Sequence, residues 1–580
     1  MVLHNPIGFG ASDFLELAWA ALLVLLALTW QPFVKPFARW MAHRTAWCML
    51  LLAVLPVALR LLLLGHHPVP TPYVYDEFSH LLVADTLRHW RLANPPHPLS
   101  QFFETFFVLQ QPTYSSIYPI GQGLALAAGW AIFGNPWAGV LLATAAFCAL
   151  VYWMLLGWTT PEWALAGGLL AVVEFGPLNM WMNSYWGGAF AAAAGCLVFG
   201  ALPRLRGRFR TRDAVWLGLG LAIHLLIRPY ESIFLVFAVV LFCLPDLRRR
   251  GMPRPLAKAA LVVALAVLPA IGITLLQNKR VTGSWMTLPY TLSQFQYGVP
   301  ATLTLQPNAV PHRALTPEQE LDYKTQASFH GKGTDTIGSY LLRLEYRVRF
   351  YRFFFLAPLY LALPFFLLAL REFRFIWVAA TLALFALGTN FFPAFQYHYI
   401  AGVACLLILA GIVGLERLSR LRLRGWPAGR EAAVLIVFLC AAHFLFWYGL
   451  HLLDTREFSQ AVRQYEVWDA INHREPEDRI AVRRELTQPS GKLLVFVHYD
   501  WPQHIFRDGW INNAATINAA RVVWAHDLGP GENEKLLRYY PDRTAWLLEP
   551  DVQPPRLTPY RRYGKAEGSA PTIATSAKAE

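Results

Sequence analysis

The stretch Arg248-Arg249-Arg250-Gly251-Met252-Pro253-Arg254-Pro255-Leu256-Ala257-Lys258, followed by Ala259 to Leu276 (AALVVALAVLPAIGITLL), decides the fold class. Eighteen uncharged residues at about 1.5 Å each make a helix of about 27 Å, close to the roughly 30 Å hydrocarbon core of a bilayer. The five basic residues ahead of it mark its cytoplasmic end, because short loops rich in Lys and Arg stay inside. Similar apolar runs occur at Trp47 to Leu64, Ala214 to Ile227, Phe375 to Phe392 and Ala432 to Leu452. The chain reads as a polytopic α-helical membrane protein.

Composition agrees. Of 580 residues, 56% are hydrophobic and 15% charged, whereas soluble domains carry roughly 25% charge. The formal net charge of +13 would suggest nucleic acid if it formed a patch on a soluble fold. It lies instead between apolar runs, at Lys35/Arg39/Arg44, Arg204/Arg206/Arg208/Arg210/Arg212, Arg248/Arg249/Arg250/Arg254/Lys258, Arg371/Arg374 and Arg417/Arg420/Arg422/Arg424/Arg430. These clusters report topology and exclude nucleic acid as a partner. The six cysteines all fall in apolar segments, so neither a disulfide framework nor a CxxC metal knuckle is indicated. Phe14 to Trp30 lacks a basic leader and a small-residue cleavage site, and reads as an uncleaved membrane helix.

With the basic clusters inside, the external loops are 65–135, 179–187, 228–231, 277–349 and 393–398. Counting Ile117 to Phe133 as a full span would put the Arg204 cluster outside. Parity is restored if Tyr118 to Gly134, with Pro119, Gly121, Gly123 and Gly129, is horizontal or re-entrant. The expectation is about twelve transmembrane helices plus that segment. Residues 1–45 form the N-terminal membrane helix and a basic cytoplasmic loop, and 46–452 the transmembrane domain. Residues 453–566 form a small α/β external domain, and 567–580 a disordered tail. In the external domain Lys492–His498, Arg521–His526 and Thr544–Leu548 read as strands and Gly531–Tyr540 as a helix, after an amphipathic helix around Glu457–Asn472.

Arginines at external helix mouths are few while cytoplasmic ones are many, and that contrast helps select the candidate site. Asp76-Glu77 follows the first outward helix and opens an amphipathic segment. A carboxylate held there against apolar neighbours could act as a general base, or simply favour the positive end of the helix dipole. Arg228, in Arg228-Pro229-Tyr230-Glu231, stands at an external helix end, where a guanidinium suits a lipid phosphate but could also pair with Glu231. Lys279 and Arg280 follow another outward helix and could share that phosphate or remain plain surface charges. Glu174 is an ionisable group inside an apolar helix, which suggests function; bonding to Asn179 or Asn183 is the structural alternative. Asn183, Tyr185 and Trp186 combine an amide with aromatic faces, suited to sugar stacking or to interfacial anchoring. His398 lies between two tyrosines at an external helix mouth. His80, His89 and His97 lack metal-like spacing, so no metal site is expected. His498, Asp500 and His504 have no accompanying nucleophile and read as domain structure.

The order of these features resembles the GT-C membrane glycosyltransferases of the protein O-mannosyltransferase and aminoarabinose transferase type. It runs from an outward helix to external Asp76-Glu77, then Tyr118-Pro119-Ile120-Gly121 opening an apolar helix, then Arg228-Pro229 and a large later loop. Tyr118-Pro119-Ile120-Gly121 departs from the family's Tyr-Pro-Pro-Gly at Ile120, and Ser79 occupies a position that is often histidine in the mannosyltransferases. The resemblance implies an inverting transferase that moves a sugar from a polyprenyl-phosphate donor to a lipid, glycan or protein hydroxyl on the external face. Asp76 would be the base, supported by Glu77, and Arg228, Lys279 and Arg280 would bind phosphate. Glu174, Asn183, Tyr185, Trp186, Tyr118, Glu231 and His398 would line the sugar or acceptor pocket. No cofactor is implied, and metal independence is expected. The setting would be a bacterial inner membrane, with the loops and C-terminal domain in the periplasm. A transporter or flippase of lipid-linked saccharide is the alternative, although neither the paired discontinuous helices nor the repeated halves of transporters are evident.

Overall fold

A computed structural model describes residues 11–208, 210–250, 254–331, 333–453, 476–500 and 509–560. The helices are α1 (Ala11–Ala42), α2 (Thr45–Leu62), α3 (Tyr75–Arg88), α4 (Ile120–Phe133), α5 (Trp137–Leu155), α6 (Pro161–Phe175), α7 (Ala189–Arg208), α8 (Thr211–Ile227) and α9 (Pro229–Arg250). They continue with α10 (Arg254–Thr282), α11 (Pro289–Tyr297), α12 (Pro317–His330), α13 (Ile337–Phe350), α14 (Leu363–Phe366), α15 (Phe373–Thr389), α16 (Ala404–Ser419) and α17 (Ala428–Leu452). A two-stranded ribbon, β1 (Val108–Leu109) with β2 (Ser115–Ser116), lies between α3 and α4.

The protein is a polytopic, mostly α-helical membrane protein. Among the described residues six helices are long and apolar enough to cross a bilayer: Thr45–Gly65, Trp137–Leu155, Ala189–Arg206, Arg254–Thr282, Tyr397–Ser419 and Ala428–Leu452. Shorter apolar helices are Phe14–Leu26, Ile120–Phe133, Pro229–Pro245 and Phe373–Thr389. Length and apolarity alone therefore do not reach the expected count of about twelve. α4 has 14 residues, about 21 Å at 1.5 Å each, which is short of a hydrocarbon core. The 228–231 loop is shorter than expected. α9 begins at Pro229, a residue favoured at a first helical position, and only Arg228 stands between α8 and α9.

Two close approaches bring three chain segments together. A Cβ at Gly121 would overlap Ile227 and the Leu226 backbone of α8, and one at Gly123 would overlap Val83 of α3. The glycines that suggested a re-entrant segment thus let α4 lie against both helices. The N-terminus of α3, the residues ahead of α4 and the end of α8 are brought to one place.

After α17 come α18 (Glu477–Glu485), β3 (Lys492–Val497), β4 (Val522–His526), α19 (Pro530–Tyr539), β5 (Arg543–Glu549) and β6 (Arg556–Pro559). The sheet order is β4-β3-β5-β6, with β3 parallel to both β4 and β5 and β6 antiparallel to β5. The strand alternation is used on both faces. Leu493, Val495 and Val497 pack with Trp510, Trp524 and Trp546, while Leu494 and Phe496 join Leu82 of α3 and Phe102, Phe103, Val108 and Tyr114 of the loop after α3. The small α/β unit therefore shares a core with the segment that carries Asp76. Polar contacts reinforce the junction. Asp85 Oδ2 accepts from Ala515 N at 2.8 Å, Tyr114 donates its hydroxyl to Asn513 O at 2.9 Å, and Arg479 stacks over Phe78 at 4.4 Å. The anticipated helix at Glu457–Asn472, His504 and the 567–580 tail lie outside the described residues.

Candidate active site

The site is built on the first turn of α3. Val74, the residue before it, has no side-chain acceptor to cap the helix. Glu77 supplies one instead, its Oε2 accepting from Tyr73 N at 2.8 Å and Val74 N at 3.2 Å. Its Oε1 accepts from Tyr185 N at 2.9 Å. Glu77 is buried, and both oxygens are committed to backbone N–H groups. Glu77 thereby fixes the start of α3 and ties it to the loop before α7. Burial raises its pKa, and the three N–H donors oppose that shift.

Asp76 is left as the reachable carboxylate. It is half-buried, accepts a hydrogen bond from the Tyr118 hydroxyl and is hydrogen-bonded by Trp186. Its pKa is raised, first by burial. The Tyr118 bond, the Arg228 charge and the Trp186 bond pull the other way. Tyr118 is itself held on three sides: its ring stacks on His80 at 4.4 Å, its N–H donates to Ser116 Oγ at 3.0 Å, and its carbonyl accepts from Gln277 Nε2 at 3.0 Å. Burial and the Arg228 charge push His80 down to about 3, so it remains neutral. Phenylalanine at Tyr118 would remove a hydrogen bond that favours the ionised form of Asp76. If Asp76 must be ionised to act, activity rises as pH climbs through its pKa. For Tyr118→Phe the acid limb of the pH–rate profile is expected at higher pH than in wild type; an unmoved or lower limb would contradict this.

Arg228 ends α8, and its guanidinium lies 4.9 Å from the Tyr399 ring centroid and 3.9 Å from Glu231 Oε1. Trp186 and His398 meet with ring centroids 5.0 Å apart. Tyr290, on α11, has a buried hydroxyl with no hydrogen-bond partner among the described residues, within electrostatic reach of Arg228, Glu231 and Asp76. The structure thus gathers Asp76, Tyr118, Trp186, Arg228, Glu231 and His398 from six separate sequence positions. To these it adds His80, Tyr290 and Tyr399.

Other anticipated residues are placed elsewhere. Asn183 is fully engaged, accepting from Arg60 Nε at 2.6 Å and donating to Pro177 O and Asn179 O at 2.8 Å. Tyr185 donates its hydroxyl to Pro70 O at 2.9 Å and accepts from Gln122 at its carbonyl. Both shape the loop. Lys279 and Arg280 are exposed, the former bonded to Gly283 O at 2.6 Å, because α10 continues past Gln277 to Thr282. Both oxygens of Glu174 are buried without a hydrogen-bond partner among the described residues. Asn179 bonds its backbone carbonyl, not its carboxylate, and Glu174 acts on Tyr360 and Cys440 rather than on the Asp76 group. Among the described residues no cluster of three or more His, Cys, Asp and Glu side chains is arranged to hold a metal ion.

Gly188 sits in this loop at φ +127°, and a Cβ there would overlap the Trp181 indole. Gly188→Ala is expected to lower stability by roughly 1–3 kcal/mol, read as a reduced thermal midpoint. An unchanged midpoint would show that the loop relaxes freely.

Comparison with solved structures gives the fold class. ArnT from Cupriavidus metallidurans in the apo state superposes with a TM-score of 0.50 at 12% identity, covering 86% of this chain and 92% of that one. The same protein bound to undecaprenyl phosphate gives 0.48 at 11% identity over 86% and 92%. The apo oligosaccharyltransferase of Archaeoglobus fulgidus gives 0.37 at 11% over 87% and 69%. The first of these shows that the chain shares the fold of ArnT. Neither a protein-family profile nor a curated protein sequence matches the chain.

Proposed function

We propose that this protein is an inverting membrane glycosyltransferase, of the O-mannosyltransferase and aminoarabinose transferase type, that uses a polyprenyl-phosphate sugar. The observation that carries the reading is that the half-buried Asp76 carboxylate lies within electrostatic reach of the Arg228 guanidinium at the end of an apolar helix. In the reaction Asp76 takes the proton of an acceptor hydroxyl, whose oxygen attacks the anomeric carbon. The bond from that carbon to the phosphate oxygen breaks, and polyprenyl phosphate leaves with the electron pair. Arg228 and the unpartnered Tyr290 hydroxyl are the cation and donor available to the leaving phosphate. Trp186 and His398 offer ring faces to the sugar.

The lipid has a route. α9 starts directly after Arg228 and exposes Ile233, Phe237 and Val240. Their i, i+4, i+7 spacing puts them on one helix face, an apolar track leading away from the guanidinium. The pocket would open to the periplasm of a bacterial inner membrane, with the C-terminal unit holding α3 from behind. A single displacement predicts inversion. Purified protein given a polyprenyl-phosphate sugar of known anomeric configuration and a hydroxyl acceptor should yield the opposite anomer, assigned by NMR coupling constants. Retention would overturn the one-step mechanism, and absence of any acceptor-dependent product would overturn the assignment.

A further inference from the structure

Arg347, on α13, is 2% exposed and has no carboxylate partner among the described residues. Its two terminal nitrogens donate to backbone carbonyls alone, Nη1 to Thr389 O and Nη2 to Phe392 O and Ala394 O. Its Nε is buried and has no hydrogen-bond partner among the described residues. A buried guanidinium without a counter-charge is costly. Here its compensation is the last carbonyl of α15, Thr389 O, at the negative end of that helix, together with two carbonyls of the segment beyond it, Phe392 O and Ala394 O. Arg343, one turn earlier, touches the same segment through Asn390 O at 2.8 Å but is balanced by Asp335. The two arginines therefore hold one strip of backbone, and only Arg347 adds an uncancelled positive charge.

That strip leads into the candidate site. Arg347 lies 5.4 Å from the Phe395 ring, Phe395 is 6.2 Å from Tyr399, and Tyr399 is 4.9 Å from the Arg228 guanidinium. Two arginines thus flank a two-ring partition. The strip is fixed from the other side as well, where Tyr230, two residues beyond Arg228, donates its hydroxyl to Gly388 O at 2.8 Å.

We infer that Arg347 is a positioning residue for the phosphate pocket. It pins the 389–394 backbone, so that Tyr399 stays against Arg228 and His398 against Trp186, and it places a second positive charge behind the Tyr399 ring. The inference rests on the phosphate-binding reading of Arg228. Arg343 serves the same backbone without the free charge, and is the built-in control.

The test measures binding of undecaprenyl phosphate and of the uncharged undecaprenol to the full-length protein in detergent, for wild type, Arg347→Gln, Arg347→Lys and Arg343→Gln. In wild type the phosphate form should bind more tightly than the alcohol. Arg347→Gln should shrink that preference about tenfold with alcohol binding unchanged, Arg347→Lys should restore part of it, and Arg343→Gln should keep it. A purely structural role would weaken both lipids alike, or lower the thermal midpoint while leaving the preference intact; either result overturns the inference. If wild type itself shows no preference for the phosphate, the reading of Arg228 falls first. A normal wild-type preference that survives in Arg347→Gln removes only the role of Arg347.

Discussion

Asp76→Asn is expected to reduce sugar transfer by about 10²- to 10⁴-fold, the range that a positioned general base contributes. Asparagine keeps the size of the side chain and can remain bonded to Tyr118, so the pocket should persist while the proton acceptor is lost. Donor binding should change little, and the deficit should appear in kcat rather than KM. The fold holds the Asp76 pKa above its usual value mainly by burial, so ionised Asp76 is a strain on the folded state and not a support for it. A neutral amide should leave the thermal midpoint unchanged or raise it. Loss of activity together with a collapsed midpoint would indicate misfolding instead, and full activity in Asp76→Asn would remove Asp76 from the base role.

Arg228→Gln should have the second large effect. The Arg228 guanidinium acts electrostatically on Asp76 and Tyr290, and a charge-assisted bond to a leaving phosphate is stronger in the transition state, where negative charge develops on oxygen. Loss of about 10²- to 10³-fold in kcat/KM is expected, comparable to removing one oxyanion donor. Arg228→Lys should recover only part, because an ammonium cannot present the planar two-pronged fork. Since Glu231 lies 3.9 Å from Arg228, the neutral variant also leaves a buried carboxylate unpaired. The double variant Arg228→Gln/Glu231→Gln separates the two effects: restored stability without restored transfer is expected. Equal kcat/KM for wild type and Arg228→Gln would exclude phosphate binding at this position.

Asp76 and Arg228 stood out in the sequence because, once the basic clusters are assigned to the cytoplasm, they are charges placed next to external helix ends. Tyr118 stood out only through the resemblance of Tyr118-Pro119-Ile120-Gly121 to a family signature. Glu77 was legible as a neighbour of Asp76 but not as a cap, because nothing in the chain announces that Val74 lacks a capping oxygen or that Tyr185 N–H turns toward it. Lys279 and Arg280 lie on an exposed stretch because α10 does not stop at Gln277 but continues to Thr282, which the sequence did not reveal. Asn183 looked like a sugar ligand, yet its amide is consumed by Arg60, a buried charge in an otherwise apolar helix and 123 residues away. His80 was set aside for poor metal spacing, and its role as a stacking support for Tyr118 depends on a contact between segments. Tyr290 and Arg347 belong to a long loop whose local sequence carries no signal, so only tertiary contacts reveal them. In the C-terminal unit β3, β4, α19 and β5 follow their apolar patterns closely. β6 was hidden by Pro554, Pro555 and Pro559, residues that sheets tolerate at an edge, where β6 lies.

The most direct measurement uses proteoliposomes that contain the full-length protein and a polyprenyl-phosphate sugar labelled in both sugar and lipid, with a hydroxyl acceptor added on the side of the Asp76 pocket. Acceptor-dependent appearance of sugar-labelled product, matched one for one by free polyprenyl phosphate and lost in Asp76→Asn, is the predicted result. Movement of the doubly labelled lipid across the bilayer with both labels still joined would contradict the account and mark the protein as a transporter.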